Sequence, residues 1–206
     1  MLEATILYED PHLIAVDKPS GLLTVPGRTP DKQDCLLNRL HQTYQDALLV
    51  HRLDRDTSGV LVFARSLRIQ QQLGRCFEAR EVQKEYVAIV EGTVAESQTI
   101  ELPIRRDITI SLPPTYIVDH THGRSASTNL DVHSTDGTRT RVTLYPHTGR
   151  SHQLRVHCQA IGHPIVGDPI YGKSIGTPRL MLHAHKLSFQ HPATNDMVTL
   201  ESAVPF

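Results

Sequence analysis

Short apolar segments follow one another along this chain without the regular strand–helix alternation that a doubly wound parallel sheet requires, and that order limits the fold more than any other feature. Ile6 to Tyr8 and Leu13 to Asp17 read as strands, closed by the turn chemistry of Lys18-Pro19-Ser20-Gly21 and Val25-Pro26-Gly27. Leu36, Leu40, Tyr44 and Ala47 mark a helical stripe, Val60 to Ala64 a strand, and Ile69, Leu73, Cys76 and Phe77 a second helix that Ser66 can cap. Glu85 to Gly92 returns to strand pattern, and Pro103, Pro113 and Pro114 break the next stretch into edge-like pieces. Thr138 to Tyr145 alternates as a strand, Gly149 to Ile161 reads as a helix stopped by Gly162, and Leu180 to Phe189 and Met197 to Glu201 close the chain as strands. The expectation is an α+β fold, its sheet mixed but mostly antiparallel, in a single domain over residues 1–206.

Composition removes several classes. With Gly counted and Tyr not, about 42% of the 206 residues are apolar, near the roughly 45–50% of soluble domains, so the chain can bury a core without disulfides or metals. The longest apolar runs fall far short of the roughly 20 residues of a membrane-spanning helix. The start, MLEATILYED, carries acids where a secretory signal carries bases. Cys35, Cys76 and Cys158 are odd in number and widely spaced, which suits reduced core thiols better than a disulfide framework. A cytoplasmic protein without a membrane partner is expected.

The net charge of −1 argues by itself against a polyanion partner, but its distribution does not. From Thr138 to Gly167 there is no Asp or Glu, while Arg139, Arg141, Arg150 and Arg155 stand among His147, His152, His157 and His163. Such asymmetry predicts a positive face on a near-neutral body. His147, His152 and His157 recur every five residues and share no helical face, so no metal site is expected. His183 and His185 would point to one face of a strand, in a hydrogen-bonded structural role.

The segment His51-Arg52-Leu53-Asp54-Arg55-Asp56-Thr57-Ser58-Gly59 packs two carboxylates, two guanidiniums and an imidazole into a loop between apolar elements, where binding and catalytic residues tend to sit. Asp56 and Ser58 can hold the turn through bonds to backbone. Asp54, with Arg52 two residues before it, fits a cleft carboxylate kept ionised by arginine.

HRLDRDTSG, with KPSGLLTVPG upstream, KEYVAIVEG downstream and HTGRSHQLRVHCQAIGHPIVGDPIYG later, resembles the RluA-type pseudouridine synthases from Tyr8 to about His185. Four blocks in the family's order make the resemblance far more specific than one short pattern. It implies the pseudouridine synthase fold with a central catalytic cleft, and isomerisation of uridine in RNA. The N1–C1′ bond is cleaved, the uracil turns while held, and C5 bonds to C1′, with neither metal nor organic cofactor.

The resemblance also implies roles. Asp54 is the catalytic carboxylate, Arg155 its guanidinium partner, and Tyr86 the active-site tyrosine that stacks on the uracil and can take the C5 proton. Arg52 matches the arginine that enters the space left by the flipped nucleotide; His152 is a further expected RNA contact, and Arg150 is either a phosphate contact or a support of its loop. Arg150 would lie at a helix start, where backbone N–H groups favour phosphate. Lys18-Pro19-Ser20-Gly21 and the Gly167 to Gly172 turn count as scaffold.

The catalytic pattern begins by Tyr8, so the N-terminal S4 RNA-binding domain of many relatives is not expected here. The short single-domain form resembles the members acting on both a ribosomal RNA loop and a tRNA stem-loop. The partner expected is therefore ribosomal RNA and/or tRNA, bound by a monomer, with no DNA. Ile-Ser-Leu-Pro-Pro-Thr-Tyr, within Arg105 to Ala126, lacks the basic run of some relatives, which bears on the RNA target and not on the chemistry. The alternatives are a catalytically inactive RNA-binding module of the same fold, and a phosphodiesterase pairing His147 or His152 with Asp54, which predicts strand scission.

Overall fold

The computed structural model describes residues 4–172 and 177–206. In chain order its strands are β1 (Thr5–Glu9), β2 (Leu13–Lys18), β3 (Leu48–Leu49), β4 (Ser58–Ala64), β5 (Gln83–Glu91), β6 (Gln98–Ile100), β7 (Ile104–Arg106), β8 (Tyr116–Val118), β9 (Thr128–Thr135), β10 (Arg139–Pro146), β11 (Leu182–Gln190) and β12 (Met197–Glu201). The α-helices are α1 (Leu36–Leu40), α2 (Leu67–Ala79) and α3 (Gln153–Ala160). The chain forms two compact units, Met1–Lys84 with His183–Phe206, and Glu85–Leu182.

In the first unit β1 pairs with β2, β2 and β3 with β4, and β11 with β12, all antiparallel, while β4 and β11 run parallel. Every residue of β4 is buried, as befits an apolar strand with neighbours on both sides. Its Val60, Val62 and Ala64 meet Leu13 and Ala15 of β2, Ile69 and Leu73 of α2, and Leu187 and Phe189 of β11 in one core. The Ser66 hydroxyl accepts the Ile69 N–H at 3.4 Å and so starts α2 as its sequence predicts. The stripe from Leu36 to Ala47 is helical only through Leu40, because turns carry the chain on from there.

The second unit is antiparallel throughout its described strands: β5 pairs with β10, β10 with β9, β9 with β6, and β7 with β8. Leu154 and Cys158 of α3 bury against Ala88, Val90, Val142 and Leu144 of β5 and β10. A smaller cluster joins Val156 of α3 to Ile104, Tyr116 and Val118 of the β7–β8 hairpin and to Tyr171. Helix α3 begins four residues later than the sequence pattern suggests, because the Gln153 carboxamide oxygen accepts both the Thr148 hydroxyl (2.7 Å) and the Arg150 N–H (3.0 Å) and holds 148–152 as a turn. The mixed, mostly antiparallel strands with few helices are the expected α+β class.

Gly59 shows how tightly the parallel pair is built. It lies opposite Lys18 on one side and Ala184 on the other, has φ +114°, and a Cβ there would sit 2.2 Å from the Ala184 carbonyl oxygen. Gly74, inside α2, has nothing within 4 Å of such an atom. Urea unfolding should therefore show Gly59→Ala losing roughly 3 kcal/mol or more and Gly74→Ala gaining about 0.5–1 kcal/mol.

Candidate active site

Asp54 stands in irregular backbone just ahead of β4, half-buried, between exposed Arg52 and Arg55. Such a loop holds its shape only if its carbonyls and N–H groups find partners. The KPSGLLT segment provides them. Lys18 at the end of β2 is fully buried, and its ammonium donates to the carbonyls of Pro19 (2.9 Å), Leu22 (2.7 Å) and Arg55 (2.8 Å). The Ser20 hydroxyl donates to the Asp56 carbonyl (2.7 Å) and the Thr24 hydroxyl to the Leu53 carbonyl (2.8 Å), while the Gly21 N–H donates to the Arg55 carbonyl (2.9 Å). The carbonyls of Leu53, Arg55 and Asp56, flanking Asp54, are thus all bonded to a segment thirty residues upstream. By sequence this segment is only a turn; its buried lysine and two hydroxyls make it the mould of the Asp54 loop.

The neighbours of Asp54 behave differently from their sequence reading. Asp56 directs its carboxylate to the Arg55 guanidinium (2.9 Å) and not to backbone. Ser58 is bonded to a histidine: its hydroxyl lies 2.8 Å from His183 Nδ1, and His183 Nε2 faces the Ser202 carbonyl at 3.3 Å. A carbonyl only accepts, so Nε2 carries the proton and Nδ1 receives the Ser58 O–H. His185 Nδ1 donates to the same carbonyl at 2.7 Å, which gives both strand histidines the hydrogen-bonded role expected of them. His51 stacks on Phe77 with ring centroids 4.6 Å apart and accepts the Val62 N–H at Nε2 (3.2 Å). Burial pushes its imidazole down to about 3, so it is a neutral acceptor at pH 7.

In the second unit Arg155 is buried on α3, and its guanidinium grips Asp168 with two bonds of 2.7 and 2.8 Å. The same Asp168 carboxylate accepts the N–H groups of Ile170 (2.9 Å) and Tyr171 (3.0 Å). Burial opposes the charge on Asp168, but the guanidinium and the two N–H groups outweigh it and hold the carboxyl below its ordinary range. The Tyr171 ring lies under Arg155, 5.1 Å from guanidinium carbon to ring centroid. Asp168 was legible only as a turn residue; its partnership with Arg155 is a tertiary contact without local signal. It also neutralises one of the four arginines behind the predicted positive face.

Tyr86 sits on β5 opposite Leu144, partly buried at the margin of the core cluster. His152 caps α3 in a left-handed conformation, φ 55°, with Nδ1 2.8 Å from the Tyr171 hydroxyl. Arg150 lies in the preceding turn and not on a helix, and its Nε donates to the Ser125 carbonyl (3.0 Å). His157 is buried, bonded to Thr128 and Leu102, and desolvation keeps it neutral. All three cysteines are free, and burial pushes the Cys158 thiol up to about 12. Among the described residues, no group of side chains is placed to hold a metal ion and no helix is long and apolar enough to cross a membrane.

The model of the RNA pseudouridylate synthase family matches residues 12–160, and the chain belongs to that family. Within it the chain is of the RluA type, an isomerase. It is 45% identical over 199 residues to the dual-specificity RNA pseudouridine synthase RluA of Vibrio vulnificus, spanning 92% of this chain and 79% of the relative. To the protein of the same name from Escherichia coli strain K12 it is 42% identical over 207 residues, spanning 98% and 93%. A solved human structure, RNA Pseudouridylate Synthase Domain Containing 1, matches with a TM-score of 0.84 at 31% identity, covering 100% of this chain and 85% of that one.

Removing Asp168 while keeping its shape tests the buried pair. Asp168→Asn strands the Arg155 charge and should cost about 3–5 kcal/mol at pH 7. Because the folded carboxyl titrates below its unfolded value, its contribution is complete above about pH 4 and is lost as pH falls through the folded value. Urea unfolding of the two proteins should therefore converge in acid.

Proposed function

We propose that this RNA pseudouridine synthase isomerises specific uridines in structured RNA, a ribosomal RNA loop and/or a tRNA stem-loop, with Asp54 as the catalytic carboxylate. The observation that carries the reading is the loop around Asp54: a buried ammonium and two hydroxyls are committed to its backbone, an investment that a surface turn does not need. Curated relatives spanning nearly the whole chain bear the name dual-specificity RNA pseudouridine synthase, which supports two RNA classes as substrates.

In this reading the target uridine is flipped into the site and Arg52 enters the space it leaves. Asp54 acts as an anion on the sugar, the N1–C1′ bond breaks, the uracil turns, C5 bonds to C1′, and the C5 proton departs, a step for which Tyr86 is the assigned acceptor. Arg155, oriented by Asp168 and Tyr171, is assigned to holding the Asp54 carboxylate charged. Arg150 and His152 contact the RNA backbone. Both compact units serve one catalytic domain, which works as a cytoplasmic monomer on RNA, not DNA, and needs no cofactor; the three unpaired cysteines suit a reducing compartment.

Tritium release from [5-³H]uridine-labelled tRNA and ribosomal RNA fragments tests the assignment. Wild type should release tritium, and Asp54→Asn should release none while its RNA affinity stays within about twofold, since an anion beside phosphate adds nothing to binding. Turnover in that variant would move catalysis to another residue. Arg52→Ala should weaken binding and lower the slope of log K against log salt by roughly 0.7–0.9; an unchanged slope removes Arg52 from the phosphate contacts.

A further inference from the structure

The Asp54 loop is moulded on its upstream side by the KPSGLLT segment, but its downstream end needs an anchor of its own. The Thr57 N–H donates to the Asp54 carbonyl (3.2 Å), so the turn that carries Asp54 runs straight into β4 at Ser58. There β4 meets β11 in a parallel ladder of two positions, Ser58 opposite His183 and Gly59 opposite Ala184. Parallel pairing is the weaker kind per residue, and so short a ladder does little to fix its own register. Any slip of β4 along β11 passes through Thr57 to the Asp54 carboxylate.

Side chains supply what the ladder lacks. The Ser58 hydroxyl donates to His183 Nδ1 at 2.8 Å, and His183 Nε2 donates to the Ser202 carbonyl at 3.3 Å. Ser202, just past β12, is tied back in turn: its N–H donates to the His185 carbonyl (2.9 Å), and its carbonyl also accepts His185 Nδ1 (2.7 Å). The His183 ring is thereby held from the C-terminal strands in one orientation and one tautomer, with a proton-free Nδ1 directed at Ser58. A serine hydroxyl against an imidazole is also the geometry of a nucleophile beside its base, but Ser58 and His183 are only 3% and 1% exposed and meet no substrate. The bond acts inside the protein, on the position of a strand end.

We infer that His183 is a positioning residue for Asp54: through Ser58 it locks the start of β4 in register and so sets where the carboxylate stands against the sugar. The role rests on the reading of Asp54 as the catalytic carboxylate. A reacting group displaced by about 1 Å loses on the order of a hundredfold in rate, whereas the residues assigned to RNA contact, Arg52, Arg150 and His152, keep their own supports. Loss of the bond therefore falls on kcat and spares KM.

The test uses the full chain, with tritium release from uridine-labelled tRNA and ribosomal RNA fragments giving kcat and KM below the melting temperature of every variant. His183→Phe keeps the ring and loses both bonds; its kcat should fall about ten- to a hundredfold with KM within about twofold. Ser58→Ala should show the same split, and carries the expectation alone should His183→Phe not fold. The double variant should be no worse than either single one, as befits two ends of one bond. His183→Asn places an amide oxygen where Nδ1 stands and should recover kcat to within about threefold of wild type, while His183→Gln, which reaches only the Nε2 position, should not. Phe189→Leu in the core of the same strand lowers the melting temperature and should leave kcat within about twofold. A raised KM at unchanged kcat, additive losses in the double variant, equal recovery by Asn and Gln, or an equal kcat loss in Phe189→Leu each overturns the positioning role while wild-type turnover keeps the isomerase reading intact. A wild type silent on every RNA is the failure of the isomerase reading, and the positioning role falls with it.

Discussion

The Lys18 ammonium lies where water does not reach, and its three protons are met by the carbonyls of Pro19, Leu22 and Arg55. A buried cation without such partners costs several kcal/mol, so the geometry of these carbonyls is not free to drift. Two belong to the KPSGL turn and the third to the Asp54 loop, so one side chain fixes two stretches of irregular backbone against each other. Gly59, directly opposite Lys18 in the register of β2 and β4, completes the arrangement by letting the Ala184 backbone approach on the far side. The rigidity of the strands is thereby passed to a loop that has no secondary structure of its own.

The second unit solves a similar problem with the signs distributed differently. Arg155 is buried with its counterion Asp168, and the carboxylate organises the turn beyond α3 through the Ile170 and Tyr171 N–H groups. Tyr171 then supports the guanidinium from below and hands a hydrogen bond to His152 and to the hairpin at Tyr116. Charged groups that composition alone would count as surface act here as internal struts. This is why the acid-free stretch from Thr138 to Gly167 overstates the positive face: Arg155 is neutralised inside, and His157 is an uncharged link between Thr128 and Leu102.

Elements with strong periodicity were legible from the residues themselves. Met197 to Glu201 has the bounds its alternation predicts, and α2 starts at the Ser66 cap. The Leu36 to Ala47 stripe leaves the helix for turns after Leu40, and the start of α3 is settled by side-chain bonding that periodicity does not see: the Gln153 carboxamide holds the Thr148 to His152 turn out of the helix. The motif blocks pointed to Asp54, Tyr86 and Arg155, whereas Lys18, Asp168 and Tyr171 read as turn or scaffold. Their importance lies in contacts across many residues, and a partner 37 positions away leaves no trace in local pattern.

The histidines carry the same lesson into chemistry. Thirteen are present, enough to suggest acid–base catalysis or metal binding, yet the bonds of several assign them elsewhere. His51 accepts a backbone N–H, His183 accepts a serine hydroxyl while donating to a carbonyl, and His157 does the same with Thr128 and Leu102. An imidazole engaged at both nitrogens between a donor and an acceptor is held neutral and oriented, and cannot give up its proton without breaking the bond that places it. Of the two histidines that a phosphodiesterase would pair with Asp54, His147 and His152, the second has its Nδ1 engaged at the Tyr171 hydroxyl.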